Sequence, residues 1–319
     1  MKGRLLILSL AFLLISGAFS TAKADTVLFP VIITNYPFVT TIVSVTNQGP
    51  TSSFLRYIYS YKSALIGGVP NYTGGCAVDS FVRPTFSPDV VSFDASGTIG
   101  GGFALFNDPD PYGGAFNIAV GGPVRSYLLV TNSDGAGNRV NVGSDFSLRG
   151  EAIVMDIFSG AAWGYRAIND TTREDFTFIP SGFNLVNALD PLMNPRFSFF
   201  PPNEWTTRFF VTPVGANMHA VDLTTTVRLQ RSTGVSGING RGADIYAFDR
   251  PQLVRCTAAV DLRDLLDATA YSFLFTTGGW GRFAIVSGSS AYVYKLEFVV
   301  NNPTYGGTNN NAYLLSSFD

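Results

Sequence analysis

Thr40-Thr41-Ile42-Val43-Ser44-Val45-Thr46-Asn47-Gln48-Gly49 returns later in the chain as Thr206-Thr207-Arg208-Phe209-Phe210-Val211-Thr212-Pro213-Val214-Gly215. Each copy is rich in β-branched or aromatic residues and closes on Gly, the pattern of a strand ended by a turn. A Phe-Pro pair precedes each copy, Phe29-Pro30 and Phe200-Pro201. After each come an arginine-bearing strand, one cysteine close to Val-Asp, and Gly-Gly-aromatic. The cysteine motifs are Cys76 with Val78-Asp79 and Cys256 with Val260-Asp261. The glycine motifs are Gly101-Gly102-Phe103 and Gly278-Gly279-Trp280. Unlike motifs recurring in one order predict a duplicated module and put the only two cysteines in equivalent places.

Between these anchors the chain reads as strands and turns. Runs with strand composition cover 27–34, 40–46, 54–62, 90–93, 103–106, 127–131, 152–158, 208–212, 225–230, 243–248, 271–275, 282–286 and 292–300. Clusters such as Asp108-Pro109-Asp110-Pro111 and Ser133-Asp134-Gly135 separate them. Only Ala259 to Ala268 shows helical spacing, through Leu262, Leu265 and Leu266. The expected fold class is all-β, two tandem antiparallel immunoglobulin-like sandwiches. The first module is assigned residues 25–194, with long Gly-rich loops, and the second 195–319. A last strand from Ala312 to Phe318 is expected to complete its own sheet; the alternative is donation to a neighbouring molecule.

The address is in the first residues. Lys2 and Arg4, the apolar run Leu5 to Ile15, and Ala22-Lys23-Ala24 make residues 1–24 a secretory signal peptide, cleaved after Ala24. The alternative, a membrane anchor, needs a longer apolar run, and no later segment holds about 18 uninterrupted apolar residues. The mature chain is expected to be secreted, extracellular or at the cell surface, with the periplasm also open. Only 14% of the 319 residues are charged and the net charge is −2. That balance, with no basic run, argues against nucleic acid as a partner. It also leaves little electrostatic protection against self-association. In an oxidising compartment two cysteines usually pair. A Cys76–Cys256 disulfide joining the modules near a pseudo-twofold axis is therefore expected. The rivals are two free thiols or bridges between chains.

Chemistry is thinly marked. The one histidine, His219, is the sole base for a Ser-His-Asp or Cys-His site, and no Gly-x-Ser-x-Gly elbow occurs. A glycosidase needs two carboxylates; Glu151 or Glu174 with Asp156 or Asp170 is the available set, and no spacing singles out a pair. No enzyme activity, cofactor or metal is expected. Asn132-Ser133-Asp134-Gly135 and Asn107-Asp108-Pro109-Asp110 offer oxygen ligands for calcium, but neither completes the EF-hand pattern and both read as turns. Tyr57, Tyr59 and Tyr61 share one face of a strand and would suit stacking on carbohydrate. The same alternation is what a sandwich core requires, and the core reading is preferred. Trp163 and Trp280 read as core anchors beside glycines.

The run from Thr40 to Gly49 followed by Phe54-Leu55-Arg56-Tyr57-Ile58-Tyr59 resembles uncharacterised secreted bacterial surface proteins with immunoglobulin-like sandwich modules. So do Arg149 to Tyr165 and the closing Gly278-Gly279-Trp280. The resemblance implies surface or extracellular placement and carries no catalytic residues. The expectation for function is an exported structural or adhesive protein, acting by self-association or by contact with another cell-envelope component. The alternatives are a carbohydrate-binding module with a glycan partner and, third, an outer-membrane β-barrel.

Overall fold

Residues 26–35, 37–49, 52–140, 142, 147–157, 161–170, 176, 185–186, 196–231, 250–299 and 312–316 are described in a computed structural model. The expected signal peptide, the strand expected at 243–248 and Glu174 lie outside them.

The first sandwich is built from β1 (Thr26–Thr34), β2 (Val39–Asn47), β3 (Phe54–Ser63), β4 (Leu65–Ile66), β5 (Val69–Pro70), β6 (Ala77–Pro84), β7 (Asp89–Asp94), β8 (Val124–Ser133), β9 (Leu148–Asp156), β10 (Ala161–Arg166) and β11 (Ile168–Asp170). Its antiparallel sheets run β11-β1-β8-β3-β6 and β10-β9-β2-β7. Alternation on β3 sends Leu55, Tyr57 and Tyr59 inward, where Tyr57 meets Phe93 and Phe116 edge-on at 5.9 and 5.1 Å. Gly150 on β9 lets Phe29 close over it, because a Cβ there would lie 2.2 Å from the Phe29 ring.

The second sandwich comprises β12 (Leu185–Val186), β13 (Arg196–Phe199), β14 (Thr206–Pro213), β15 (Thr224–Arg231), β16 (Gln252–Arg255), β17 (Ala258–Asp261), α1 (Leu262–Leu265), α2 (Ala268–Leu274), β18 (Gly279–Gly288), β19 (Ala291–Val299) and β20 (Ala312–Ser316). Its sheets run β12-β19-β14-β17, with β20 also on β19, and β13-β18-β15-β16. The sheet therefore begins at Leu185, ahead of the expected boundary, and β20 pairs within its own chain. The described strands form separate open sheets, not one closed ring. Among the described residues no helix is long and apolar enough to cross a membrane.

The two sandwiches follow the same strand order. Strands β1, β2, β3, β6, β7, β8, β9 and β10 take the places of β13, β14, β15, β16, β17, β18, β19 and β20 in turn. The Thr-Thr repeats are on the second strand of each; Gly101-Gly102 falls between the fifth and sixth strands, whereas Gly278-Gly279 opens the sixth, β18.

The cysteines depart from this correspondence. Cys76 precedes the fourth strand, β6, whereas Cys256 follows its counterpart β16. Val78-Asp79 lies on the fourth strand and Val260-Asp261 on the fifth. Two local assignments also change. Residues 103–106 form no strand, since Phe106 and Asn107 turn the chain at φ 61° and 56°. Tyr271 to Leu274 is helical because the Asp267 carboxylate accepts the Ala270 N–H at 2.8 Å and caps α2.

A bulge joins the sandwiches. Pro30 carries no N–H for the β1–β8 ladder, and the register shifts between Phe29 and Ile32. The freed groups find partners from farther along the chain. The Tyr165 hydroxyl donates to the Val31 carbonyl at 2.5 Å and accepts the Val31 N–H at 3.2 Å. Thr212 of β14 donates to the Pro30 carbonyl at 2.6 Å. The core of the first sandwich continues into Phe210, Tyr292, Tyr294, Leu296 and Phe298, so the β14–β19 sheet is covered on both faces.

Candidate functional site: the cleft between the sandwiches

The expected disulfide is present. Cys76 and Cys256 are bonded with a Cα separation of 5.6 Å, within disulfide reach. Both Asp222 carboxylate oxygens accept the Cys76 N–H at 3.1 Å. Lys62 lies beside the same seam and donates to the Tyr72 and Arg255 carbonyls at 2.9 and 2.6 Å. Desolvation, and then Arg125, push its ammonium pKa down to about 7. The bond is made without the cysteines being equivalent, so the pseudo-twofold argument for it does not apply.

Tyr57 and Tyr59 are buried in the first core and Tyr61 is half-buried against it, so these three offer no open stacking face. Trp280 is 44% exposed, in contrast to the expected core anchor. Trp163 anchors the junction instead, stacked on Phe210 at 5.3 Å and 29°. Glu151 and Asp156 stand five apart on β9 and thus point to opposite faces. The side chain of Asp170 lies outside the described residues. His219 follows β14, next to Met218, whose carbonyl accepts the Tyr127 hydroxyl at 2.6 Å.

The two oxygen-rich loops differ. Asp134 accepts the Ala136 and Asn138 N–H groups at 2.9 and 2.8 Å, and the Asn138 side chain chiefly holds its carboxyl below the usual range. Asn132 faces inward to Ser52. That loop is a turn. Asp108 and Asp110 are joined by Asp89 of β7, with ligand atoms within 4.8 Å of one another, and these are the described residues that could hold a cation. Tyr112 donates to Asp89 and, at 2.9 Å, to Asp108. The Asp110 carboxyl is raised by desolvation and then by Asp89 and Asp108.

The site with the most converging chemistry is a cleft of about 250 Å³ between the sandwiches. Ile33, Val39 and Val154 wall one side; Phe210, Leu296 and Phe298 wall the other; Trp163 spans them. Arg125 of β8 and Arg208 of β14 enter it, and both also line an adjoining cavity of about 90 Å³ beneath Leu65. Arg208 is held by Asp261 in a two-point pair at 2.7 and 3.0 Å and lies 5.2 Å from the Phe298 ring centre. Arg125 is different. It is half-buried, 5.9 Å from the Phe210 ring centre, and its guanidinium makes no hydrogen bond or ion pair with the described residues. Desolvation, then the charge of Arg208, lower its guanidinium to about 10.

Sequence reasoning did not single out Arg125. Its only local signal is a charge inside the otherwise apolar and hydroxylated run Val124 to Val130. No protein-family model, curated protein or solved structure matches the chain.

Proposed function

We propose that this chain is an exported structural or adhesive protein of the cell surface, working by self-association or by contact with another envelope component. The observation that carries the reading is the outer edge of β6. Among the described residues no strand pairs with that edge, and Val78 and Ser80 stand exposed along it. An unpaired edge is a template for another strand, and low charge does little to keep one away. The disulfide immediately before β6 would hold such an edge steady under load. A duplicated origin of the two sandwiches is supported by their shared strand order. The immunoglobulin likeness rests on the facing antiparallel sheets alone. Here the seventh strand joins the sheet of the second, whereas an immunoglobulin domain places it beside the sixth.

The carbohydrate-binding alternative is favoured by a different pair from the one expected. Phe200, 41% exposed, lies against Trp205 with ring centres 4.7 Å apart. Light scattering and electron microscopy of the mature chain, from Asp25, separate the readings. Defined oligomers or filaments are expected, and Val78→Lys should return the chain to monomer. A wild-type chain that stays monomeric at high concentration overturns the assembly reading, and a glycan array then tests the alternative.

A further inference from the structure

We infer that the cleft between the sandwiches binds a small organic monoanion, a carboxylate on an apolar body, with the Arg125 guanidinium as its anchor. A guanidinium taken partly out of water without a counter-charge is costly unless something supplies one. The Arg208 charge beside it adds to that cost; Asp261 offsets part of it, but that carboxylate is held in the two-point pair with Arg208 and makes no hydrogen bond to Arg125. A carboxylate matches the planar fork of an arginine with two parallel hydrogen bonds.

The walls select the rest of the ligand. Ile33, Val39, Val154, Trp163, Leu296 and Phe298 present an apolar lining, so the body of the ligand must be aliphatic or aromatic. Asp156 in the same lining disfavours a dianion such as a phosphate monoester. The volume sets the size. A cavity of about 150 Å³ suffices for benzene, so about 250 Å³ admits a fragment-sized molecule, not a polymer chain. This is a binding activity separate from the assembly proposed above and does not depend on it.

Octanoate is the probe, with octan-1-ol as its uncharged counterpart, each titrated calorimetrically into the oxidised mature chain. Saturable one-site binding of octanoate is expected, about tenfold or more tighter than octan-1-ol, as a charge-assisted pair in a partly dry site requires. Arg125→Gln should lose about the same factor while circular dichroism and melting temperature stay unchanged. Leu65, 42% exposed at the rim, gives a second test that leaves the interior intact. Leu65→Glu should weaken octanoate and Leu65→Lys strengthen it, with octan-1-ol indifferent to both. Absence of saturable binding, equal affinity for acid and alcohol, or indifference of octanoate to both Arg125→Gln and the Leu65 charge pair would each overturn the inference.

Discussion

Removing the Cys76–Cys256 bond should cost about 5 kcal/mol. The bridge closes a loop of 180 residues, and the chain-entropy relation gives about 5 kcal/mol for that length at room temperature. The full amount is recovered only if both sandwiches unfold together. The first core runs without interruption into Phe210, Tyr294 and Phe298 of the second sandwich, which predicts one cooperative transition. The perturbation is Cys76→Ala with Cys256→Ala, compared with the oxidised wild type by urea titration followed through tryptophan fluorescence. With a slope of about 3 kcal/mol per molar urea, the midpoint should fall by roughly 1.5–2 M. Cys256 is nearly inaccessible and its sulfur packs in the core, so about 1 kcal/mol of the loss would be packing. Two separate transitions in the oxidised protein, or a midpoint shift under about 0.3 M, would refute the picture of one covalently closed unit.

Two further outcomes follow from buried charges. The Lys62 pKa is lowered from 10.5 to about 7 in the folded protein. Between those values the unfolded chain holds a proton that the folded one lacks, so stability should rise with pH from about 7 to 10.5. The slope should be at most about 1.4 kcal/mol per pH unit, since the two carbonyls accepting from Lys62 favour its charged form. Melting curves of wild type against Lys62→Met isolate it, and parallel curves would show that Lys62 does not titrate there. The second outcome concerns Lys295 and Glu297, which pair at 3.5 Å inside the second sandwich. Lys295→Met alone strands a carboxylate and should cost about 3–5 kcal/mol, whereas Lys295→Met with Glu297→Gln should cost much less. Additive losses in that double-mutant cycle would mean the two charges are solvated independently.

The strands were legible where one face of a sheet meets a core and became hard to read where both faces do. On β2, Val43, Val45 and Asn47 are buried while Ile42, Ser44 and Thr46 between them are only partly so, a period of two. On β19 every residue from Ala291 to Val299 is buried. Tyr292, Tyr294, Leu296 and Phe298 face the first sandwich, so the intervening Lys295 and Glu297 must turn inward, where local patterning would assign them to water. What satisfies them lies far off in sequence: Lys295 donates to the Ser198 carbonyl, and Glu297 accepts the Phe200 N–H at 2.9 Å and the Thr207 hydroxyl at 3.1 Å. The cleft was obscured for the same reason. Arg208 and Phe210 belong to the repeat, and Trp163 to the run resembling surface proteins, yet each drew notice for strand pattern or packing. Arg125 drew none, because a single charge in a strand acquires meaning only when another layer closes over it. A sheet in the middle of three layers thus hides its polar residues from any reading based on period. Those positions are where the structure adds most to the sequence.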